Sequence, residues 1–555
     1  MILDDPRTGA GKNLFPCRIE RTLTDMHEMA LRPLPYGASS FPKLRNDGMI
    51  YVDKTAIIEK MIASSDKIFF ARPRRFGKSL LASALESLFA DGLRHFQGLA
   101  IENSWTDRQY PVVRLDFSEA GAVRDAGHFE KRFAALVASG FEGVGFQYDA
   151  ASYKPVWTQL SAWLKSQPSK SLVLLIDEYD APLTQCLSAP DLFYSVRDVL
   201  ADFFAVLKAN DGAFRFFFMT GITRFSKTSI FSELNNLRDI TLDPDFGSLL
   251  GYTRSEIRQY FSGYLEKASR ALGLPEEPLL DEMARHYDGF CFDMMAREKV
   301  FAPWSVINFF SNPALGFRNY WFESGGQPGV LLEYLKSHAL RSPEAYETTF
   351  HAQAGELNAR MDAGGIDDKV LLFQTGYLTV KSSDGDSLEL GFPNSEVASS
   401  MSRLYGRLVL GEETYASASM RKIKRSLECG DGKAFLEELN RLFLGIDYKD
   451  YPVDTEARCR AMMSMILYCC GLDPVSERHN SLGRSDIETD AGPCHWVFEL
   501  KLARPGENPA KLCDEAVSQM RARRYGEEVR SEELRRMALV FSEEKRQFTN
   551  WAWAD

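Results

Sequence analysis

The sequence predicts an α/β protein: a parallel sheet with helices on both faces, then a helical region, then a second, smaller α/β unit. Three observations predict this. Four apolar runs of strand length occur in the first half of the chain, and segments of helical period separate them. The runs are continuously apolar rather than alternating, which is typical of strands covered on both faces. Near the end of the chain, a helix, strands and a further helix follow one another.

The N-terminal unit is predicted to span residues 46–255, after a lead-in segment (1–45) that has no clear period. Its helices are predicted over Ser79–Phe89 and Leu192–Leu207. Its strands are predicted at "KIFFA" (67–71), "VVRLDF" (112–117), "LVLLID" (172–177) and "FRFFFMTG" (214–221). Strands and helices that alternate in this way indicate a parallel sheet.

The middle region, predicted over 256–450, has mainly helical period up to Arg360, with interruptions at "YDGF" and "FAPWSVINFF". Residues 370–393 then predict a helix followed by two strands around an Asp-Gly turn. A further helix is predicted over Ala434–Leu444. Helices with a hairpin fit a winged-helix-like lid, and they fit a plain connecting module equally well. The C-terminal α/β unit is predicted over 451–555.

Composition limits the classes of protein to consider. A chain of 555 residues exceeds the size of a single hydrophobic core, and 45% hydrophobic with 26% charged residues is typical of folded domains. No apolar run approaches the roughly 20 residues that span a bilayer, and the first residues do not resemble a secretory signal. We therefore expect a cytoplasmic protein without membrane contact.

The cysteines and the net charge add two expectations. The nine cysteines form no C-x-x-C pair, so they are predicted to be thiols in a reducing compartment rather than disulfides or zinc ligands. The formal net charge of −11 gives no general attraction to nucleic acid, so any such binding must be local.

The stretch "ARPRRFGKSLL" (71–81) resembles a phosphate-binding loop at its second half only. Gly77, Lys78 and Ser79 match the end of G-x-x-x-x-G-K-[ST], whereas Arg72 stands at the first glycine. A chance G-K-S is the alternative. A predicted strand before the loop and an amphipathic helix after it place backbone N–H donors at a helix start, which favours a phosphate site.

A second candidate element is "LVLLIDEYDAPL", an apolar strand that ends in Asp177 and Glu178. Ligands of open α/β sheets bind at this edge. Asp177 would hold Mg²⁺ through water, and Glu178 would orient or deprotonate an attacking water. The alternative is a solvated acidic turn with Asp180 as a helix cap. The neighbouring phosphate loop favours the first interpretation.

"YVDKTAIIEKMI", "RPRRFGKSLL", "LLIDEYDAPL" and "FMTGITRFSKTSIFSELNNL" together resemble the AAA-ATPase-like family that carries an R-P-R-R-F-G-K-S loop, over residues of about 46 to 250. The resemblance implies that ATP and Mg²⁺ bind, with Glu178 as the hydrolytic residue and Ser79 and Asp177 at the metal. The residues implied to contact the nucleotide are Arg72, Pro73, Arg74, Arg75, Phe76, Gly77, Lys78, Ser79, Asp177 and Thr220.

Three of the polar residues in this unit have structural alternatives. Thr220 would be the polar sensor beside the γ-phosphate, or an ordinary hydroxyl at a strand end. Arg224 and Arg238 could supply charge in the transition state, although arginines often serve as caps or remain solvated.

A second cluster lies in "SERHNSLGRSDIETDAGPCHWVFELKLA" (476–503). Glu499 and Lys501 are two apart on a predicted strand, so they share a face, and Asp486 is placed on the strand before the "TDAGP" turn. Two carboxylates and a lysine suit metal-assisted phosphodiester cleavage, and Glu477, predicted on the preceding helix, could add a ligand. The alternative is a solvated sheet face with a cross-strand ion pair.

"GRSDI", "VFELKLA" and "AVSQMRARRYG" in this order resemble the PD-(D/E)XK nuclease superfamily, a restriction-endonuclease-like fold. The resemblance implies that Asp486, Glu499 and Lys501 are catalytic with Mg²⁺ or Mn²⁺ and that Gln519 and Tyr525 assist. Gln519 as helix surface and Tyr525 as core packing are the alternatives. Residues 451–555 hold 15 Lys and Arg against 18 Asp and Glu, although Arg521, Arg523 and Arg524 form a local basic patch.

Three functions are compatible with these observations. The first is an ATPase coupled to a metal-dependent nuclease that acts on DNA or another nucleic acid. The second is a nucleotide-switched regulator or scaffold whose nuclease fold does not cleave; this function is compatible with a homo-oligomer. The third is a structural protein that uses neither site, which two ordered sets of site residues disfavour.

Overall fold

The computed structural model describes residues 31–224, 237–323, 331, 350–357, 367–385, 387–411, 418–527, 529 and 533–554. Most of the predicted lead-in segment (1–30) lies outside these ranges. Residues 225–236, within the fourth motif of the ATPase-like resemblance, also lie outside the described residues.

The N-terminal region is built on a five-stranded parallel sheet in the order β2-β3-β4-β1-β5. The four predicted strands are confirmed, and β5, a two-residue strand at the edge, was not predicted. All six residues of β3 are buried, as expected for a central strand with helices on both faces. The strands are β1 Lys67–Ala71, β2 Val112–Asp116, β3 Leu172–Asp177, β4 Phe214–Gly221 and β5 Arg238–Asp239.

The helices of this region include the two that were predicted, each slightly longer than expected. They are α1 Phe41–Asn46, α2 Thr55–Ser64, α3 Lys78–Asp91, α4 Ala126–Glu142, α5 Val156–Lys165, α6 Ala181–Thr184 and α7 Pro190–Ala209. Since β1 leads into α3, and since β1 and β3 both pair with β4, the carboxyl ends of these three strands meet beside the start of α3.

The middle region is mainly helical, and it includes the predicted hairpin. "FAPWSVINFF" was wrongly predicted as an interruption: it contains a helix that begins at Pro303, and most of its residues are buried, which hides the helical period. Its helices are α8 Arg254–Tyr260, α9 Ser262–Leu272, α10 Glu276–Tyr287, α11 Pro303–Ser311, α12 Tyr320–Glu323, α13 Ala354–Leu357, α14 Asp368–Thr375, α15 Ser395–Leu410, α16 Ala418–Glu428 and α17 Gly432–Leu444.

The predicted hairpin belongs to a three-stranded antiparallel sheet in the order β6-β8-β7. Its strands are β6 Phe350–Gln353, β7 Thr379–Ser383 and β8 Ser387–Gly391. The first of these was not predicted, because four residues with two polar side chains give little strand signal.

The C-terminal region is a five-stranded mixed sheet in the order β13-β12-β11-β10-β9, in which only β11 and β12 run parallel. The strands are β9 Val475–Ser476, β10 Ile487–Ala491, β11 Cys494–Ala503, β12 Glu533–Ser542 and β13 Gln547–Trp553, and the helices are α18 Glu456–Cys469 and α19 Pro509–Arg523. Gly492 turns the chain between β10 and β11 with a φ of 58°, as the "TDAGP" turn predicted.

Helices of the middle region cover one face of the C-terminal sheet. The indole N–H of Trp496 in β11 donates to the carbonyl of Leu427 in α16 at 3.0 Å. The Phe435 ring of α17 lies 5.4 Å from that of Phe498. A continuous hydrophobic core therefore extends from the N-terminal sheet to the C-terminal sheet. Within the described ranges, no helix is both long and apolar enough to cross a bilayer.

Candidate functional site

The phosphate loop connects β1 to α3 and wraps around the Lys78 side chain. Gly77, directly before α3, has a φ of 97°, a left-handed conformation that glycine adopts without strain. The Lys78 ammonium donates to the carbonyls of Arg72 at 2.9 Å and Pro73 at 3.1 Å. Burial lowers the pKa of Lys78. The lysine therefore bridges the loop interior, at the start of a helix where anions bind.

Ser79 and Asp177 meet beneath this loop. Ser79 follows Lys78 at the start of α3 and lies near the buried Asp177 carboxylate at the end of β3; burial raises the pKa of Asp177, and the Ser79 hydroxyl partly offsets that rise. Asp177 Oδ2 is buried without a hydrogen-bond partner, with the Arg114 guanidinium at 3.9 Å. A buried carboxylate oxygen without a partner, beside a hydroxyl, fits a Mg²⁺ ligand pair.

Among the described residues, no three His, Cys, Asp or Glu side chains form a metal-binding group. A Mg²⁺ ion beside Ser79 and Asp177 would therefore need phosphate oxygens and water as further ligands. Mg²⁺ commonly keeps such a coordination shell in nucleotide sites.

Glu178 follows Asp177 in a left-handed conformation, with a φ of 47°. This conformation is strained for a residue other than glycine, and such strain concentrates at functional positions. The half-buried carboxylate lines the same pocket as the loop, and burial together with Asp116 raises its pKa. A raised pKa at this position suits a carboxylate that accepts a proton.

Asp180 precedes α6, but its side chain does not cap that helix, contrary to the alternative interpretation of the sequence. Its Oδ2 instead accepts from the backbone N–H of Ile222 at 3.1 Å and from the N–H and hydroxyl of Thr223 at 2.7 and 2.5 Å. The carboxylate therefore ties the chain after β3 to the chain after β4. Thr220, within β4, is fully buried, and its hydroxyl has no hydrogen-bond partner.

The two candidate arginines of this unit form ion pairs. Arg224 pairs with Asp239, and Arg238 pairs with Asp243 at 2.8 Å. Both guanidinium groups are thereby held against acidic side chains of the same unit rather than presented alone to a phosphate.

A pocket of about 450 Å³ opens in front of the loop. Arg72, unlike most of the predicted loop, does not line this pocket. Its guanidinium is 1% exposed, donates to the carbonyls of Ala71, Thr241 and Phe246, and lies between the Phe70 and Phe292 rings. The loop residues that line the pocket are Arg74, Arg75, Phe76, Gly77, Lys78 and Ser79.

The second candidate site lies on β11 and α19. The Lys501 ammonium is 3.2 Å from Glu499 Oε1, and the Gln519 amide donates to the same oxygen. Asp486, directly before β10, accepts from the Leu500 N–H at 2.8 Å. The Gln519 amide also donates to the hydroxyl of buried Tyr525 at 3.3 Å. The predicted residues are therefore brought together.

The charges of this cluster are strongly perturbed. Burial and the nearby Asp486 raise the pKa of Glu499 to about 7. Burial also raises the pKa of Asp486. Burial acts to lower the pKa of Lys501, but the carboxylates of Glu499, Glu456 and Asp486 outweigh it and raise the value. Glu499 Oε2 is buried without a hydrogen-bond partner, so the group fits a cation beside Asp486 and Glu499.

Glu477 is not on a helix, contrary to the prediction. It follows β9 with a φ of 55°, and its carboxylate lies 3.1 Å from both Arg460 and Arg484. Arg460 also lies 3.7 Å from Asp486. Glu477 therefore lies beside the cluster, with its charge compensated by arginines.

Sequence reasoning missed Glu456 and Arg460, which lie one turn apart on α18. The negative charge of the Glu456 carboxylate helps to raise the pKa values of Asp486, Glu499 and Lys501. The carboxylate also accepts a hydrogen bond from the Leu502 N–H at 3.4 Å. In the sequence, Glu456 follows the helix cap Thr455 and is indistinguishable from an ordinary first-turn acid.

Comparison with known proteins gives two family matches. Residues 35–231 match the family described as "Predicted AAA-ATPase", and residues 455–551 match the PD-(D/E)XK nuclease superfamily. The chain therefore carries an AAA-ATPase-like domain and a C-terminal PD-(D/E)XK nuclease superfamily domain, as both resemblances implied.

Two individual proteins are also similar. The chain is 29% identical over 532 residues to a protein of Azotobacter chroococcum mcd 1 described as "Uncharacterized protein in vnfD 5'region", covering 93% of this chain and 98% of that protein. The Walker-type ATPase PABY2304 of Pyrococcus abyssi aligns with 67% of this chain and 98% of its own, at 13% identity and a TM-score of 0.34.

Proposed function

We propose that this chain, with its AAA-ATPase-like domain and its PD-(D/E)XK nuclease superfamily domain, hydrolyses ATP with Mg²⁺ and cleaves nucleic acid with a divalent metal. The observation that carries the ATPase half is the Asp177 carboxylate, whose buried Oδ2 has no hydrogen-bond partner and which lies near Ser79 beneath the Lys78 loop. Loop glycine, lysine, hydroxyl and acid are together where a Mg-triphosphate would bind.

The polar residues at and beneath the phosphate loop have distinct roles in this proposal. Lys78 would exchange its two loop carbonyls for the β- and γ-phosphate oxygens. Ser79 and Asp177 would hold Mg²⁺, which would supply positive charge to those oxygens. Glu178 orients the attacking water and accepts its proton, which its raised pKa favours. Thr220 offers a buried hydroxyl to the γ-phosphate side from β4.

At the C-terminal site, Asp486 and Glu499 would hold the cation, which activates water and stabilises the charge on the phosphate. Lys501, a partly exposed ammonium 3.2 Å from Glu499 Oε1, would stabilise the developing negative charge. Gln519 fixes the orientation of Glu499. The proximity of unpartnered Glu499 Oε2 to Asp486 supports this assignment.

The ATPase half is tested by titration calorimetry and phosphate release with Mg-ATP. Lys78→Ala should weaken binding at least tenfold and abolish hydrolysis, because the lysine is the cation of the phosphate loop. Lys60→Ala, which removes a half-exposed lysine that pairs with Asp245, serves as the matched control and should behave as wild type. Unchanged ATP binding in Lys78→Ala would rule the site out.

The nuclease half is tested on single- and double-stranded DNA and on RNA, with Mg²⁺ or Mn²⁺, with and without ATP. Lys501→Ala should abolish cleavage, and Lys511→Ala, an exposed lysine of α19, should not. If wild-type protein leaves every substrate intact while it still binds ATP, the second candidate function replaces this one.

That second candidate is a nucleotide-switched regulator with a nuclease fold that does not cleave. A specific observation favours it: Arg460 already lies 3.7 Å from Asp486, where its charge compensates a carboxylate that a metal would use. In this case Mg-ATP should change the oligomeric state or the protease sensitivity of the chain, and Lys78→Ala should abolish that change.

A further inference from the structure

We propose that the chain between β9 and β10, residues 477–486, is an arm that enters the major groove of double-stranded DNA and contacts base edges through Leu482. The inference rests on the proposed nuclease function and names the substrate class of that site. The last residue of the arm, Asp486, is a proposed cation ligand, so DNA held by the arm would lie next to the metal cluster.

The arm is a two-stranded ribbon that extends the β9–β10 pair. The register of that pair continues through the arm to a bridge between His479 and Arg484. The Asn480 N–H donates to the Gly483 carbonyl at 2.9 Å, which leaves a tip of two residues, the second of which is Leu482. Four residues in each strand of the ribbon give it a length of roughly 13 Å. The major groove of DNA is wide enough to admit a two-stranded β-ribbon.

The tip of the arm is held against the end of α19. The Asn480 amide donates to the Arg523 carbonyl at 2.9 Å, and the Arg523 guanidinium donates to the Leu482 carbonyl. Asn480 Oδ1 also accepts from the backbone N–H groups of Leu482 and Gly483, both at 2.8 Å. The Leu482 side chain is nevertheless 43% exposed. The fold thus fixes the backbone of an apolar residue that it does not bury, and such preorganisation favours contact with a partner.

The arm also reaches the metal cluster at both ends. At its base it ends in Asp486 itself, which accepts from the Leu500 N–H. Near its tip, Gly483 lies so close to Tyr525 that a Cβ there would come within 3.0 Å of the tyrosine hydroxyl. That hydroxyl accepts from the Gln519 amide, which also donates to Glu499. The arm therefore has a defined position relative to the proposed cleavage site.

The cations around the arm can supply only a few phosphate contacts. The Arg484 guanidinium is half exposed and pairs with Glu477 at 3.1 Å. An exposed ion pair adds little to stability, so Arg484 can exchange Glu477 for a phosphate. The end of α19 adds the exposed Arg521, Arg523 and Arg524. Because the C-terminal unit holds more Asp and Glu than Lys and Arg, phosphate contacts alone give weak binding, and contacts with base edges have to supply the rest.

The shape of the arm and its apolar tip favour duplex DNA over other nucleic acids. The major groove of duplex RNA is deep and narrow, and side chains cannot read it. A single strand has no groove to receive a ribbon. In the major groove of DNA, the apolar group on the base edges is the C5-methyl group of thymine, which apolar side chains contact. Leu482 is therefore assigned to a thymine methyl group.

Fluorescence anisotropy with the whole chain tests the arm in the Lys501→Ala background, which should leave the probes uncut with Mn²⁺. The probes are a DNA duplex, the same duplex with uracil in place of thymine, its single strand, and an RNA duplex of the same sequence. The thymine duplex should bind most tightly, and the uracil duplex roughly fourfold more weakly, as expected for one buried methyl group. Leu482→Ala should bind both DNA duplexes alike, whereas Leu482→Met should still distinguish them.

Two further variants separate the base contact from the phosphate contacts. Arg484→Ala should weaken the binding of all four probes alike, and it should lower the slope of log affinity against log salt concentration by about 1. Leu444→Ala removes a leucine that is 66% exposed at the end of α17, and it should bind every probe as the background does.

Failure of the arm and failure of the nuclease function give different results. If no probe binds and wild-type protein cleaves none of them, the proposed nuclease function is wrong and the inference falls with it. If wild-type protein cleaves nucleic acid but the two DNA duplexes bind alike, or Leu482→Ala still distinguishes them, the arm is wrong while the nuclease function stands. Tighter binding of the single strand or the RNA duplex would overturn the assignment to duplex DNA. A change of oligomeric state in Leu482→Ala with unchanged DNA binding would assign the tip to a protein interface instead.

Discussion

The Arg72 guanidinium lies behind the phosphate loop, enclosed by the Phe70 and Phe292 rings at 4.2 and 4.3 Å. It donates hydrogen bonds to the carbonyls of Ala71, Thr241 and Phe246, and burial lowers its pKa to about 9. An arginine at the first glycine position of the loop pattern thus joins the loop to the chain after β5. Arg72 has a structural role: its planar guanidinium stacks between two rings and donates several hydrogen bonds in fixed directions, and a lysine ammonium reproduces neither property.

We therefore expect Arg72→Ala to lower the free energy of unfolding by about 3 kcal/mol, because three buried carbonyls lose their donor. Denaturant unfolding measures this loss. Molecules that remain folded should bind Mg-ATP within about threefold of wild type, in contrast to Lys78→Ala. A variant of wild-type stability that has lost ATP binding would show instead that Arg72 contacts the phosphates.

The folded protein favours the protonated form of Glu499, whereas the proposed metal role needs the ionised form. Its folded-state pKa of about 7 exceeds the ordinary value of 4.5. In metal-free protein, its contribution to stability is therefore fully present below pH 4.5 and is lost as pH rises through 7. Metal binding needs the ionised form, so metal affinity should rise with pH up to about 7.

Glu499→Gln should accordingly raise the free energy of unfolding by about 1 kcal/mol at pH 8 without metal, and the difference should shrink by pH 5. The same variant should lose the stabilisation that Mn²⁺ gives wild type. Thermal unfolding with EDTA or Mn²⁺ measures both effects, with the exposed Glu544→Gln as control. A less stable variant at pH 8, or one still stabilised by Mn²⁺, would contradict this.

Period-two spacing correctly placed Glu499 and Lys501 on one face, since that follows from strand geometry alone. The position of Glu477 was wrong, because a residue between short elements has no period from which to predict it. Glu456 was missed because its role comes from the packing of α18 against β11, which no local pattern encodes.

The hairpin formed by β10 and β11 carries a buried charge network on His495. The ring donates toward Asp490 at 2.6 Å and Glu488 at 3.2 Å, and Glu488 also accepts from Ser485 at 2.7 Å. Burial opposes the charge on His495, but its two carboxylate partners outweigh it and raise the pKa to about 9. A protonated imidazole therefore fastens two adjacent strands at neutral pH.

This network predicts a pH dependence of stability. The contribution of His495 should be fully present below pH 6.5 and lost as pH rises through 9. His495→Gln should thus cost about 2 kcal/mol at pH 6.5 and much less at pH 10. Denaturant unfolding across this range measures the difference, with exposed His128→Gln as control. A cost independent of pH would mean that His495 is neutral in the fold.

At the level of elements, apolar continuity predicted the three central strands β1, β3 and β4, because burial on both faces leaves a clear apolar run. It also located the edge strand β2, although alternate residues of that strand are only partly buried. Helical period predicted the two helices. Short edge strands such as β5 and β6 give no such run. The helix from Pro303 to Ser311 was mistaken for a break because most of its residues are buried, which weakens the helical period.

The phosphate loop also contacts the middle region. The Phe76 ring is buried 5.0 and 5.1 Å from those of Phe290 and Phe292. Gly376, after α14, lies so close to Pro73 that a Cβ there would come within 2.7 Å of the proline ring. Nucleotide binding that moves the loop would therefore press directly on the middle helices, which in turn cover the C-terminal sheet.

Helix α17, which precedes the predicted domain boundary near residue 450, packs against the C-terminal sheet, which follows that boundary. The Phe443 ring of α17 lies 5.3 Å from both Phe541 and Phe548, and Asn440 exchanges two hydrogen bonds with the backbone of Phe548. An amphipathic helix shows in its sequence that one face is buried, but not which sheet buries it.

We therefore expect a fragment of residues 451–555 to expose the aromatic face of its sheet and to aggregate, because each large buried side chain contributes about 1.5–3 kcal/mol. A fragment of residues 394–555 keeps α15, α16 and α17 and should unfold cooperatively as a monomer. Sedimentation, dye binding and denaturant unfolding of the two fragments measure this difference. Phe435→Ala in the longer fragment should lower its stability by about 3 kcal/mol, because it removes a ring from the sheet face. Cooperative unfolding of the shorter fragment would show that the sheet is stable without these helices.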